Sequence, residues 1–278
     1  MDERFVSTQW LAEHLGNPEV RIVDGSWHMP ATGRQGGAEF VEGHIPGAVF
    51  FDIDTIADHS TGLPHMLPSP EAFAAAVGAL GIGDSHTIVV YDEAGLFSAP
   101  RVWWSFRTMG APDVRILAGG GPKWRAEGRP LETGMPVPAP VRFTPRFDPD
   151  RVRDFAQVRS IAGNGGATVV DARPARRFAG TEPEPRPGLA SGHIPGSRNV
   201  PVSSLVRDGM LRPAEELRAL FAEVGLDLGA PLVTSCGSGV TAATLALALE
   251  VAGASPVAVY DGSWAEWGGR PDATVARG

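Results

Sequence analysis

The chain repeats itself, and a duplicated sequence folds as a duplicated structure. Residues 21-RIVDGSW-27 are followed by 42-EGHIPGAVFFD-52, and residues 168-TVVDARP-174 by 191-SGHIPGSRNVP-201. The pentapeptide GHIPG thus recurs at a similar distance after a β-branched run that ends in Asp. Further on, 88-IVVYDEAGLFSAPRVWWSFRTMGAPDVRILAGGGPKW-124 aligns without gaps on 231-PLVTSCGSGVTAATLALALEVAGASPVAVYDGSWAEW-267. Gly110 falls on Gly253, Ala111 on Ala254 and Trp124 on Trp267. Between the copies, 134-GMPVPAPVRFTPRFDPD-150 carries prolines at 136, 138, 140, 145 and 149. Closely spaced prolines block a helix and favour an extended path. We therefore expect a first domain over residues 1–133, a proline-rich linker over 134–150 lying across a domain surface, and a second domain over 151–278.

Each copy reads as strand, loop, strand, helix, strand, helix. The short β-branched runs Arg21–Asp24, Thr87–Tyr91, Thr168–Asp171, Leu232–Ser235 and Pro256–Tyr260 have the pattern of buried strands. Helical patterns cover Ser7–Leu15, Pro70–Leu80, Ala99–Met109, Pro213–Val224 and Thr241–Ala252. Alternating elements predict the α/β class: two tandem domains, each a mostly parallel sheet with helices on both faces. In such sheets ligands bind beyond the carboxyl ends of the strands.

At 278 residues the chain has room for two domains of ordinary size. Its net charge of −8 disfavours a nucleic-acid partner. No run of 18 apolar residues predicts a membrane span, and no leader pattern opens the chain. A single cysteine excludes an internal disulfide, so a reducing cytoplasm is the expected compartment. The scattered histidines and lone thiol form no metal-ligand spacing, and neither a phosphate loop nor a dinucleotide fingerprint occurs.

That lone thiol, Cys236, stands at the end of a predicted strand and before Gly237-Ser238-Gly239, Val240 and the predicted helix. The glycines allow the backbone to turn its amides inward as an anion nest, and the helix start adds the positive end of its dipole. Both favour the thiolate over the thiol, which makes Cys236 a nucleophile rather than a packing residue. The first copy has Glu93 at this position, so only the second copy carries thiol chemistry.

With 26-SWHMP-30, 43-GHIPGAVFFDID-54, 64-PHMLP-68, 97-FSAPRVWW-104, 178-FAGTEPEPRPG-188, 236-CGSGVTA-242 and 261-DGSWAEW-267, the sequence resembles the tandem rhodanese-type sulfurtransferases over nearly its whole length. CGSGVT resembles the active loop of their 3-mercaptopyruvate branch. Thiosulfate-specific relatives usually place charged residues there, which makes thiosulfate the alternative donor. The resemblance implies sulfur transfer from 3-mercaptopyruvate through a Cys236 persulfide, with release of pyruvate and no cofactor. The acceptor it implies is a thiol, such as thioredoxin or a small thiol, or else cyanide.

The resemblance also places substrate-binding arginines at Arg177 and Arg186, and an Asp–His–Ser relay at Asp54, His65 and Ser238. Guanidinium groups suit a carboxylate with an adjacent carbonyl. The amides of Gly237, Gly239, Val240 and Thr241 would hold the anionic sulfur. Arg176 beside Arg177, and Asp52 beside Asp54, are the alternatives within one or two positions. His44 and His193 of the two GHIPG segments occur in both copies and are expected to serve the fold. A monomer or weak dimer is expected.

Two other classes fit less well. A Cys-loop phosphatase needs an arginine closing the loop, and residues 237–243 contain none. A non-catalytic persulfide-binding module would not need the paired arginines.

Overall fold

The structure, a computed structural model, describes residues 2–278. It divides into two compact units. The first comprises, among the described residues, 2–58, Leu67–Asp148 and Asp208–Met210; the second comprises His59–Met66, Pro149–Arg207 and Leu211–Gly278.

In the first unit the strands are β1 (Phe5–Val6), β2 (Val20–Asp24), β3 (Ala48–Phe50), β4 (Thr87–Tyr91) and β5 (Asp113–Leu117). They form one parallel sheet in the order β1-β5-β4-β2-β3. Around it lie α1 (Thr8–Glu13), α2 (Gly36–Glu42), α3 (Pro70–Ala79), α4 (Ala99–Thr108) and α5 (Gly120–Ala126). The second unit repeats the plan with β6 (Val152–Arg153), β7 (Thr168–Asp171), β8 (Arg198–Asn199), β11 (Leu232–Ser235) and β12 (Val257–Tyr260); the two-residue strands β9 (Val206–Arg207) and β10 (Met210–Leu211) form a separate hairpin at residues 206–211. Its five-stranded parallel sheet has the order β6-β12-β11-β7-β8, which matches the first sheet position for position. Its helices are α6 (Phe155–Asn164), α7 (Ala175–Phe178), α8 (Ala214–Glu223), α9 (Val240–Ala252) and α10 (Ser263–Trp267).

The central strands are continuous apolar runs because parallel strands are covered on both faces. Ile88, Val89 and Val90 of β4 and Val233 of β11 are buried, as are Phe40, Ile45 and Trp124 in one core and Val158, Trp264 and Trp267 in the other. Trp124 and Trp267, matched by the repeat, occupy equivalent core positions. α9 is buried nearly all round by alanines and leucines and packs on β11 and β12.

The proline-rich stretch lies in extended form along the first unit. Val141 N–H donates to Gly78 O and Arg146 N–H to Met109 O, at 2.9 and 2.8 Å. Phe143 is buried against Phe73 and Phe106. Gly78 is required there, since a Cβ would stand 2.6 Å from the Val141 carbonyl oxygen.

The two GHIPG turns are built alike. His44 stacks on Phe40 and its Nδ1 bonds Phe40 O at 2.7 Å; His193 stacks on Phe178 and its Nδ1 bonds Phe178 O at 2.9 Å. Each histidine pins a turn to the preceding helix. Gly47 and Gly196, at φ 76° and 77°, supply the left-handed residue that closes it.

Candidate functional site

β11 lies between β12 and β7, and Ser235 is paired with Asp171 at the carboxyl end of both strands. Cys236 therefore emerges at the centre of that sheet edge, almost fully buried. Its loop is fixed from one side. Trp264 N–H donates to Cys236 O and Ala265 N–H to Gly237 O, both at 2.9 Å. Cys236 N–H donates to Ser263 Oγ at 3.2 Å, and that hydroxyl donates to Tyr260 O at 2.8 Å. Ser263 holds this position at φ 49°, a left-handed conformation unusual for serine.

Gly239 takes φ 81° and lets α9 begin at Val240, one residue before the expected start. Among the described residues, no acceptor bonds the amides of Gly237, Ser238, Val240 or Thr241. The loop is thus an open cradle of donors at the positive end of a thirteen-residue helix.

The first unit contains the same cradle, filled. Asp92 stands where the second unit has Ser235, and it is fully buried. Its Oδ1 accepts the N–H groups of Ala94 and Leu96 at 3.0 and 3.1 Å, and its Oδ2 accepts those of Phe97, Ser98 and Ala99 at 2.8 Å each. Leu96, matched by the repeat to Gly239, is also left-handed at φ 66°. This loop shape is therefore an anion receptor. The first copy supplies its own carboxylate, while the second has the smaller Ser235, whose buried Oγ has no hydrogen-bond partner among the described residues. Glu93, at the position matched to Cys236, is paired with Arg125.

His65 belongs to the second unit although its sequence neighbours lie in the first copy. It is buried, left-handed at φ 61°, and its Nδ1 lies 3.0 Å from Ser238 Oγ and 3.4 Å from Ser238 O. Asp54 is placed in the first unit, where its Oδ2 accepts the Trp27 indole N–H at 2.9 Å. Asp52 serves the turn itself, accepting Asp54 N–H and the Thr55 hydroxyl.

Arg177 and Arg186 both reach the Cys236 loop: a Cβ added at Gly237 would stand 3.4 Å from Arg177 Nη2 and 3.9 Å from Arg186 Nη1. Arg176 is exposed. Arg177 is held by Glu184, its Nε donating to Oε1 at 3.2 Å and its Nη2 to Oε2. Glu184 also accepts from Arg173 Nη1 at 2.8 Å. Arg173 is fully buried, donates to both carboxylate oxygens of Asp171 and to Gly192 O, and lies 4.0 Å over the Trp264 ring. Arg173, Glu184 and Ser263 escaped the sequence reading. For Arg173 a signal existed, because the repeat sets it against Ser26 and so marks a place where the copies diverge. The matched Asp24 of the first unit, which makes no ion pair with an arginine among the described residues, is pushed up to about 7 by burial.

Comparison with known proteins identifies the family. The rhodanese-like domain model matches residues 7–127 and again residues 154–270. The chain belongs to the rhodanese family. Among rhodanese-family relatives, the 3-mercaptopyruvate sulfurtransferase of Escherichia coli K12 is 46% identical over 272 residues, covering 98% of this chain and 97% of the relative. The enzyme of that name from Homo sapiens is 44% identical over 283 residues, covering 99% and 95%. The crystal structure of SseA from Escherichia coli, solved as a 3-mercaptopyruvate sulfurtransferase with the rhodanese fold, superposes with a TM-score of 0.87. It shares 44% identity and covers 94% of this chain and 98% of SseA. Two rhodanese-like domains thus stand in tandem, and the second holds the thiol.

Proposed function

We propose that the protein transfers sulfane sulfur from 3-mercaptopyruvate to a thiol acceptor through a persulfide on Cys236. The observation that carries this reading is the open amide cradle around a buried thiol, with two guanidinium groups beside it. The Cys236 thiolate attacks the donor sulfur, a sulfur–sulfur bond forms, and the carbon–sulfur bond breaks with its electron pair left on carbon as the pyruvate enolate. The proton on the transferred sulfur passes to that carbon, so the products are pyruvate and a persulfide anion. In this reading Ser238 and His65, whose Oγ and Nδ1 lie 3.0 Å apart, relay this proton; the role of third member that the resemblance gives Asp54 is a proposal for Asp54→Asn to test. The amides of Gly237, Gly239, Val240 and Thr241 hold the anionic outer sulfur. Arg177 and Arg186 orient the donor carboxylate and carbonyl. The outer sulfur then passes to a small thiol, to a thioredoxin-like dithiol or to cyanide. No helix among the described residues is long and apolar enough to cross a membrane. A free catalytic thiol suits the reducing cytoplasm.

The test is pyruvate release from 3-mercaptopyruvate in the presence of a thiol, compared with thiosulfate at matched concentration. Wild type should release pyruvate, Cys236→Ser none, and Arg186→Ala should lose about 100-fold in kcat/KM, as when a charged contact to a carboxylate is removed. Absence of pyruvate from the wild type overturns the reaction. A higher kcat/KM with thiosulfate overturns the donor and leaves the nucleophile standing.

A further inference from the structure

The two arginines beside Cys236 differ in charge balance. Arg177 is ion-paired with Glu184, whose side chain is only 2% exposed. Arg186 has no hydrogen bond or ion pair among the described residues. Glu184 is shared with Arg173, and Arg173 closes on Asp171. Asp171, Arg173, Glu184 and Arg177 therefore form one linked chain with no net charge, and Arg186 adds a single positive charge next to the Cys236 loop. Arg177, its charge matched by Glu184, suits a neutral oxygen such as a carbonyl, while Arg186 alone has a charge to give a carboxylate.

We propose that Glu184 is a specificity-determining residue: by cancelling the charge of Arg177 it sets the donor site for a monoanion and against a dianion. The inference rests on the sulfurtransferase reading above. A monoanion is neutralised on binding. A dianion leaves one charge uncompensated in a half-buried site, and its desolvation cost rises steeply with charge. The sulfur of Cys236 does not draw on this balance, because the loop amides and the start of α9 already face it. Mercaptopyruvate offers one carboxylate, whereas thiosulfate carries two charges on one small group.

The test uses methanesulfonate and sulfate, which share a tetrahedral sulfonate head and differ by one charge. Each is titrated for protection of Cys236 against alkylation by iodoacetamide, in wild type, Glu184→Gln and Glu184→Asp. Wild type should be protected by methanesulfonate at lower concentration than by sulfate. Glu184→Gln should shift the ratio of protecting concentrations roughly tenfold toward sulfate, as expected for removing one nearby unit charge. Groups common to the variants cancel in that ratio. Glu184→Asp keeps the charge and should keep the wild-type preference even where both anions bind more weakly. The kcat/KM ratio of thiosulfate to mercaptopyruvate should move with it.

The proposal is overturned if sulfate protects the wild type better than methanesulfonate does. It is also overturned if Glu184→Gln alkylates normally without anions yet keeps the wild-type ratio. The wild-type order decides by itself where Glu184→Gln yields no folded protein. A wild type that releases no pyruvate sinks the reaction instead, and the alkylation experiment still decides the charge balance.

Discussion

Replacing Asp92 by Asn should destabilise the first unit severely, although Asp92 is far from any thiol in sequence role and does no chemistry. The carboxylate receives five backbone N–H groups, two on Oδ1 and three on Oδ2. Asparagine can turn its oxygen toward the three donors of Phe97, Ser98 and Ala99. Its amide then faces the N–H groups of Ala94 and Leu96, donor against donor. At least two charge-assisted bonds to the buried carboxylate vanish, one from the buried Leu96 amide and one from the part-buried Ala94 amide, and each is worth about 1.5–3 kcal/mol. The loss is therefore about 3–6 kcal/mol, a large part of the stability of an ordinary domain. In a urea titration followed by tryptophan fluorescence, the first unit should unfold about 1–2 M earlier than in wild type. A midpoint that moves by less than the equivalent of about 1 kcal/mol would refute the claim that this loop is an anion receptor.

Two further substitutions test neighbouring parts of the same argument. Asp24→Asn should change how stability depends on pH. Burial raises Asp24 from 3.8 to about 7, so the folded state holds its proton more tightly than the unfolded chain does. That contribution is complete below pH 4 and is lost as pH rises through 7, to the extent of about 4 kcal/mol. The variant cannot ionise, so its stability should gain on wild type by roughly that amount between acid and mildly alkaline urea titrations; parallel pH profiles would contradict this. Ser263→Ala removes the acceptor for the Cys236 N–H and should lower kcat/KM about tenfold without unfolding the domain, the effect of one buried hydrogen bond. Unchanged turnover would mean that the loop is held by the Trp264 and Ala265 amides alone.

The central strands were legible because burial on both faces forces continuous β-branched runs, as in Thr87–Tyr91 and Leu232–Ser235. The edge strands Phe5–Val6 and Val152–Arg153 are two residues long and carry no such pattern. Cys236 could be read from its glycine-rich setting, and the structural role of His44 and His193 from their duplication. Glu184 was illegible for a physical reason. In 178-FAGTEPEPRPG-188 it looks like one more solvated charge, and only the fold buries it between two arginines. Ser263 depends on a left-handed backbone that no local sequence rule assigns to serine. Among the positions where the copies differ, 26 and 173, 92 and 235, and 93 and 236 each lie at the carboxyl end of a central strand.

The filled cradle of the first unit also bears on how the two copies could have come to differ. Regaining a thiol there by Glu93→Cys alone would place it beside amides already saturated by Asp92. Removing Asp92 first would take the acceptor from five backbone donors, those of Leu96, Ser98 and Ala99 buried. Each single step is therefore useless or harmful. Asp92 acts as a ratchet, so the division of labour between the copies resists reversal even though their backbones are alike.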